Sequence, residues 1–479
     1  MMKAVLDIGK TNVKLQLVDA EGRLSHSYSR KNTPLESGLY PHADVDAIWQ
    51  WLLETLASYP AAAEITALIV TTHGATAALI NSNVPAADAL VLPVLDYEFA
   101  GINSCDQAYQ AVRPGFSETL SPDLPAGLNL GRQIFWLQQQ FPAQFAQATQ
   151  LLMYPQYWAW RLTGQLVGEV TSLGCHTDLW APLTQRYSSL VEQCHWQALM
   201  PPLQPAWQSL GVIRPEIANA TGLSPACEVH VGLHDSNASY LRYLCNEQTQ
   251  TASFTVVSTG TWTILMQAQG RLRDLHLRRD TLANCDVFGD PIACARFMGG
   301  REYEEICQRL GGDVNTPVSA QQLQTALDNL WMVTPDFSSG NGPFGGLAPK
   351  LQCPLPAPSA GAIATLYSAL MIDQRLSDLQ ASGAIYIEGA FLKNPLLCAL
   401  LAQLRSGQPV YLSNDDTGTV QGALLLTQFP QVTPFAQASR APLTEQTRPH
   451  ARIDLVPCKA SQFQGLEQYR QRWYALIGQ

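Results

Sequence analysis

The chain opens twice with one short pattern, and this repetition constrains its architecture more than any other feature. Near the N-terminus Ala4-Val5-Leu6 is an apolar run, Asp7 to Asn12 is turn-like, and Val13, Leu15 and Leu17 alternate with Lys14 and Gln16. Near the middle, Phe254 to Ser258 reads as a strand, Thr259-Gly260-Thr261 as a small-residue turn, and Thr263 to Met266 as a returning strand. Apolar runs and alternation on either side of a tight turn predict a strand–turn–strand unit in both places. In the first copy, a hairpin at Asp19 to Gly22 leads to a third strand. Asp44 to Ala57 follows as a helix, with Ile48, Trp51, Leu52, Leu53 and Leu56 at helical spacing behind an Asp suited to capping. Ile65 to Thr71 is then a buried strand ending in Thr72-His73-Gly74. The order β-β-β-α-β belongs to layered α/β folds. The second copy continues with a helix from Gly361 to Leu379, a strand at Ala384 to Ile387 and a helix from about Pro395 to Arg405.

Two domains are therefore expected, 1–246 and 247–479, meeting in the polar stretch Asn246-Glu247-Gln248-Thr249-Gln250. The second should end in an amphipathic helix, Leu466 to Leu476, with Leu466, Tyr469, Trp473 and Leu476 on one side. A length of 479 residues with 46% hydrophobic and 14% charged residues suits two buried cores. A net charge of −10 argues against nucleic acid as a partner. Asp7 interrupts any signal-peptide apolar stretch, and no run of about 18 apolar residues could span a bilayer. The 11 cysteines include no Cys-x-x-Cys pair, which fits reduced thiols and a cytoplasmic setting.

The first turn contains Gly9-Lys10-Thr11, which invites comparison with a P-loop. Spacing excludes it: a P-loop needs a glycine five residues before its Gly-Lys, and Ala4 stands there. The turn can instead present backbone N–H groups and the Thr11 and Asn12 side chains to a phosphate, with Asp7 placed to hold a hydrated magnesium ion. It can equally be an ordinary hairpin with a capping Asp. The matching turn Ser258-Thr259-Gly260-Thr261-Trp262 favours phosphate, because coincidence in both copies is less expected than in one. Gly340, Gly342 and Gly345 match GxGxxG, but they follow no strand and Pro343 interrupts them, so they form a loop.

Val229 to Leu233 reads as a strand, Gly232-Leu233-His234-Asp235-Ser236-Asn237 as a turn, and Ala238 to Leu244 as a helix. Asp235 is either a helix cap or a base that takes the proton of a sugar hydroxyl, with His234 binding the sugar.

These segments resemble, in order and over essentially the whole length, the FGGY carbohydrate kinases of the actin-like ATPase superfamily. Asp7 to Lys14 is similar to the first phosphate motif, and Tyr154-Pro155-Gln156-Tyr157-Trp158-Ala159-Trp160-Arg161-Leu162-Thr163-Gly164 to the middle signature. Gly232 to Asp235 resembles the segment of the catalytic Asp, Gly260-Thr261-Trp262 the second phosphate motif, and Ile387 to Asn394 the adenosine motif. The resemblance implies two actin-like, ribonuclease-H-like α/β domains with an interdomain cleft, acting on ATP with Mg2+. It implies Asp235 as base, and Lys10, Thr11, Asn12, Lys14, Gly260 and Thr261 at the phosphates. Gly389, Ala390 and Asn394 would line the adenosine site, with Asn284 near it. His73, Gly74, Ala75, Asp96 and His234 would contact the sugar.

Two positions depart from the family pattern, Lys10 where Thr is usual and Ala390 where a second glycine is usual. His234-Asp235-Ser236 and Gly260-Thr261-Trp262 resemble the rhamnulose- and fuculose-kinase branch, which points to a ketose or deoxyketose. Thr171 to Thr177 is a further branch-like segment whose role the sequence leaves open, as it does a homodimer. A non-catalytic sensor on the same fold would have no use for Asp235 beside two phosphate turns. A hydrolase using His234 and Asp235 is disfavoured because neighbours on a strand point to opposite faces.

Overall fold

A computed structural model describes residues 1–246, 249, 253–414, 417–431 and 448–478. The polar stretch Asn246 to Gln250 falls mostly outside them. The chain divides into two compact units. The first comprises Met1–Glu247, Ala283–Pro291 and Thr417–Ala451; the second comprises Gln248–Leu282, Ile292–Asp416 and Arg452–Gln479.

In the first unit, alternation produces the expected sheet. Met2–Ile8 pairs antiparallel with Asn12–Val18, which pairs antiparallel with Leu24–Lys31. On its other side Met2–Ile8 runs parallel to Ile65–Thr72, which runs parallel to Glu228–His230 and Leu233–His234. Ser209–Val212 closes that edge antiparallel. The sheet is covered on both faces. Ala4, Leu6, Ile8, Leu68 and Val70 join a core with the helices Val45–Ser58 and Tyr154–Thr163. Val5, Ala67, Ile69 and Leu233 point the other way, as period-two alternation requires, into a core with Ala238 and Leu241. Asp44 caps the first helix, accepting from the Ala47 N–H at 3.0 Å. Trp158 and Trp160, in the middle signature, are buried in this core.

The second unit repeats the order of strand polarities. Pro291–Phe297, Thr263–Gln267 and Phe254–Thr259 are successively antiparallel. Ala384–Gly389 then runs parallel to Phe254–Thr259, Val410–Ser413 runs parallel to that, and Leu455–Pro457 is antiparallel. The helices Ala360–Asp378 and Pro395–Leu404 lie within a residue or so of expectation. The C-terminal helix Leu466–Leu476 buries Leu466, Tyr469 and Trp473, while Leu476 is half-buried. Buried Asp373 ties this helix down, meeting Nε of Arg470 at 2.8 Å and of Arg405 at 2.7 Å and the Tyr474 hydroxyl at 2.9 Å.

The expected strand Val229 to Leu233 is broken. Gly232 sits at φ +80°, and a Cβ there would lie 2.4 Å from the Val70 carbonyl oxygen, so only glycine lets the chain cross so close. Pairing resumes at Leu233–His234, and the helix starts at Asp235, three residues earlier than expected. Asp235 is thus the first helical residue, and His234 occupies the capping position without making a side-chain cap.

The helix Asp235–Leu244 packs on Gly418–Leu425, a segment that returns to the first unit from far along the chain. A Cβ on Gly422 would lie 1.6 Å from the Ala238 carbonyl oxygen, so the two backbones touch. Gln421 donates to the Gly22 carbonyl at 2.8 Å and Lys3 to Thr427 at 2.6 Å, tying the segment to the first strands. A Gly422→Ala substitution must push these helices apart. Urea unfolding should show a loss of about 1–3 kcal/mol, the usual range for overpacking, with a lower midpoint and an unchanged slope.

Candidate active site

Parallel register brings the site together. Asp7 and Leu233 both pair with Thr71, and Ile8 and His234 both pair with Thr72, so the carboxyl ends of adjacent strands are level. Ligands of open α/β sheets bind beyond such ends. His73 continues the line, its N–H donating to the Ile8 carbonyl at 2.9 Å.

Asp7 accepts from the Thr71 hydroxyl at 3.2 Å. Burial and the charge of Asp235 raise its carboxyl to about 7, against the opposing pull of Lys14 and Thr71. The turn beyond it closes through the Gly9 N–H and the Asn12 carbonyl at 3.0 Å, leaving Thr11, Asn12 and Lys14 exposed. Asn32, at the end of the third strand, pins the turn by donating from its side chain to Gly9 O at 2.8 Å and from its backbone to Thr11 O at 2.8 Å. Nothing in the local pattern of Asn32 announces this role, which depends on strand pairing.

The Lys10 side chain turns toward Asp96. Its ammonium forms an ion pair with Asp96, lies 3.9 Å from Glu98 and sits 4.7 Å from the centre of the Tyr97 ring. Lys10, Asn32, His73, Thr76, Asp96 and Tyr97 line a small concavity that opens to solvent. Nδ1 of His73 lies 3.0 Å from the Gly74 carbonyl and donates to it. Burial pushes the His73 ring below its ordinary range, which favours the neutral form. Ala75 is buried at φ +54°, and its carbonyl accepts from Gln133 at 2.7 Å.

Asp235 is partly exposed, and its recorded contacts fall on Oδ1: the Ser236 N–H at 2.6 Å, the Ser236 hydroxyl at 3.2 Å and Nε2 of His234 at 3.3 Å. Among the described residues none donates to Oδ2. The contact with His234 corrects the strand-based expectation that the two side chains diverge, because the chain enters the helix between them.

The segment Thr171 to Thr177, open on sequence grounds, braces this junction. The Thr171 hydroxyl accepts from the His234 N–H at 3.0 Å and donates to Glu169 at 2.6 Å. Glu169 caps the short helix Val170–Leu173 through the Thr171 and Ser172 N–H groups. Cys175 is a buried thiol. Asn284 belongs to the first unit and is buried, with no partner for Oδ1 among the described residues.

In the second unit the Gly260 turn closes like the first, from the Gly260 N–H to the Trp262 carbonyl at 2.9 Å, with Thr261 exposed. Gly300, at the start of the helix Gly299–Arg309, donates to the Gly260 carbonyl at 3.1 Å. Gly389 lies across from Thr259 at φ +86°, where a Cβ would come 2.1 Å from the Thr259 carbonyl oxygen. Ala390 opens the short helical turn that follows. The Asn394 side chain is engaged within the unit: Oδ1 caps the next helix at the Leu397 N–H, and Nδ2 donates to Thr365 at 2.8 Å. Gly340, Gly342 and Gly345 lie in a loop.

The family model described as "FGGY family of carbohydrate kinases, N-terminal domain" matches residues 2–241, and "Carbohydrate kinase FGGY, C-terminal domain" matches 251–436. The chain belongs to the FGGY family of carbohydrate kinases. An L-fuculokinase of Salmonella typhi is 26% identical over 293 residues, covering 59% of this chain and 60% of the fuculokinase. A probable L-xylulose kinase of Pasteurella multocida is 25% identical over 280 residues, 54% of each chain. The matches thus span little more than half the length of these curated relatives. Over the whole length, the crystal structure of a carbohydrate kinase from Novosphingobium aromaticivorans is 34% identical, with a TM-score of 0.82 and coverage of 99% of this chain and 98% of that one. A xylulose kinase structure from Lactobacillus acidophilus shares the fold at 15% identity, with a TM-score of 0.75 and coverage of 99% and 97%. The two matching sheets accord with this FGGY assignment. Among the described residues no helix is long and apolar enough to cross a membrane, and no cluster of three or more His, Cys, Asp or Glu could hold a metal ion.

The buried Glu169 gives this FGGY chain a pH signature. Burial raises its folded carboxyl from 4.5 to about 7, so between those values the folded state holds more protons than the unfolded state. Stability therefore falls as pH rises from about 4.5 to about 7 and levels off above that range. Asp7, Asp286 and Glu302 act in the same direction. In Glu169→Gln the decline should become shallower by up to about 1.4 kcal/mol per pH unit, the value of one proton, as read from urea midpoints across pH.

Proposed function

We propose that this FGGY family member transfers the γ-phosphoryl group of ATP to a hydroxyl of a ketose or deoxyketose, with Asp235 as the general base. The observation that carries the proposal is the level alignment of Asp7, His73 and the His234-Asp235 pair at the ends of adjacent parallel strands, with Oδ2 of Asp235 accepting from none of the described residues. Phosphoryl transfer asks for a base, aligned reactants and charge stabilisation, and little covalent chemistry from the protein. The acceptor oxygen forms a bond to the γ-phosphorus as the bond to the bridging oxygen of the leaving ADP breaks. The hydroxyl proton passes to Oδ2.

Asp7 fits a magnesium ion: burial and the charge of Asp235 raise its carboxyl to about 7, and a cation there would favour its ionised form. Mg2+ keeps most of its waters, so one carboxylate suffices to hold it, and it would neutralise phosphate charge there. The Gly9–Asn12 turn, with Thr11, Asn12 and Lys14, and the Gly260-Thr261 turn would take phosphate. Gly389 and Ala390 would flank the nucleoside. The acceptor would occupy the concavity beside His73, Gly74, Ala75 and Asp96. The ketose or deoxyketose class is supported by the fuculokinase and xylulose kinase relatives.

Incubation with labelled ATP and a panel of ketoses tests the proposal; no sugar-dependent ADP release with any of them would sink it. Asp235→Asn should lower kcat by roughly 100- to 10,000-fold, the usual worth of a general base, with little change in either KM. Turnover equal to the parent's would favour a role for Asp235 other than base.

Lys10 separates two placements. Its ion pair with Asp96 supports an acceptor-side role, so Lys10→Thr should raise the KM of the sugar by about tenfold, the worth of one charge-assisted hydrogen bond. The KM of ATP should stay put. A rise in the ATP value alone would return Lys10 to the phosphates.

A further inference from the structure

A relay of hydrogen bonds starting from the backbone places a proton on Nδ1 of His234. The Asn237 side-chain nitrogen donates to the Cys285 carbonyl oxygen at 2.7 Å. A carbonyl only accepts, so this contact fixes the orientation of the amide. The Asn237 amide oxygen then faces Nδ1 of His234 at 2.9 Å, and it too only accepts. Nδ1 therefore bears hydrogen, and in the neutral ring Nε2 is a lone pair. Asn237 is 1% exposed, so water does not compete for these bonds.

Nε2 lies 3.3 Å from Oδ1 of Asp235, close enough to pair with that carboxylate should a second proton charge the ring. Gly74 leaves room beside it, since a Cβ there would stand 3.0 Å from Nε2. The titratable groups around the ring are Asp235 on the helix, His73 at the neighbouring strand end and Cys175 on the bracing loop, with Lys10 and Asp7 acting on His73 and Asp235 in turn.

We propose that Asn237 is a positioning residue that holds His234 as the Nδ1–H tautomer and so keeps Nε2 an acceptor beside the base. This rests on the kinase assignment above. The acceptor molecule is then held by two neighbouring hydroxyls. One donates to Nε2, and the other, the one that reacts, donates to Oδ2 of Asp235. With a proton on Nε2 instead, the ring would donate to Asp235, lower its basicity and leave the second hydroxyl without an acceptor.

Nitrogen-15 NMR of the histidine-labelled protein, with His234→Gln to identify the signals, reads the tautomer in the parent. A protonated Nδ1 and an unprotonated Nε2 are expected; hydrogen on Nε2 of the neutral ring overturns the proposal. This measurement needs no turnover, so it stands apart from any failure of the kinase assay. Asn237→Asp keeps an acceptor toward Nδ1 but favours a doubly protonated ring, which pairs with Asp235. Its kcat/KM for the sugar should fall about 10- to 100-fold at pH 7, within the range of general-base effects, and recover toward the parent value as pH rises. The KM of ATP should not change. A deficit equal at every pH, or a parent-like profile, overturns the positioning role.

Discussion

The site depends on strand register. Asp7 and Leu233 share Thr71 as partner, and Ile8 and His234 share Thr72, so three chain segments separated by scores of residues end at one level. Side chains on a strand alternate between faces, and a slip of one residue would turn Asp7 into the opposite core. The apolar residues on both faces, each fully buried, make such a slip costly. Burial in two cores thus specifies the placement of a carboxylate that belongs to neither.

The hairpins, their turns and most helices were legible in the sequence because each rests on local periodicity and turn chemistry. The paired sheets follow from the repeated pattern, and the matching polarities bear out the duplicated module. The helix that carries Asp235 starts earlier than its sequence predicts. Asp before a run of small residues suggests a cap, but the glycine break at Gly232 ends one strand early and lets the helix begin at Asp235 itself. That shift of three residues brings His234 and Asp235 together, where alternation along a strand would part them.

Other features are non-local and leave no trace in neighbouring residues. Lys10 stands out as a departure from the family pattern, but its destination, Asp96, lies 86 positions away. The bracing of His234 by Thr171 spans 63 positions, and the Asn237 bond to Cys285 spans 48. Asn394 reads as a nucleotide residue in its motif, yet its side chain caps a helix and bonds to Thr365. Motif spacing identifies such residues; only tertiary packing shows which bonds they have already made.

The late return of Gly418–Leu425 to the first unit also governs the order of assembly. Val420, Ala423, Leu424 and Leu425 complete the core that includes Val5, Ile69 and Leu241. As the polypeptide leaves the ribosome, the first unit cannot seal that core until Gly418–Leu425 has been made. The nascent first unit must wait with an apolar flank uncovered. The helix that begins at Asp235 gains its final support only once that late segment has been made.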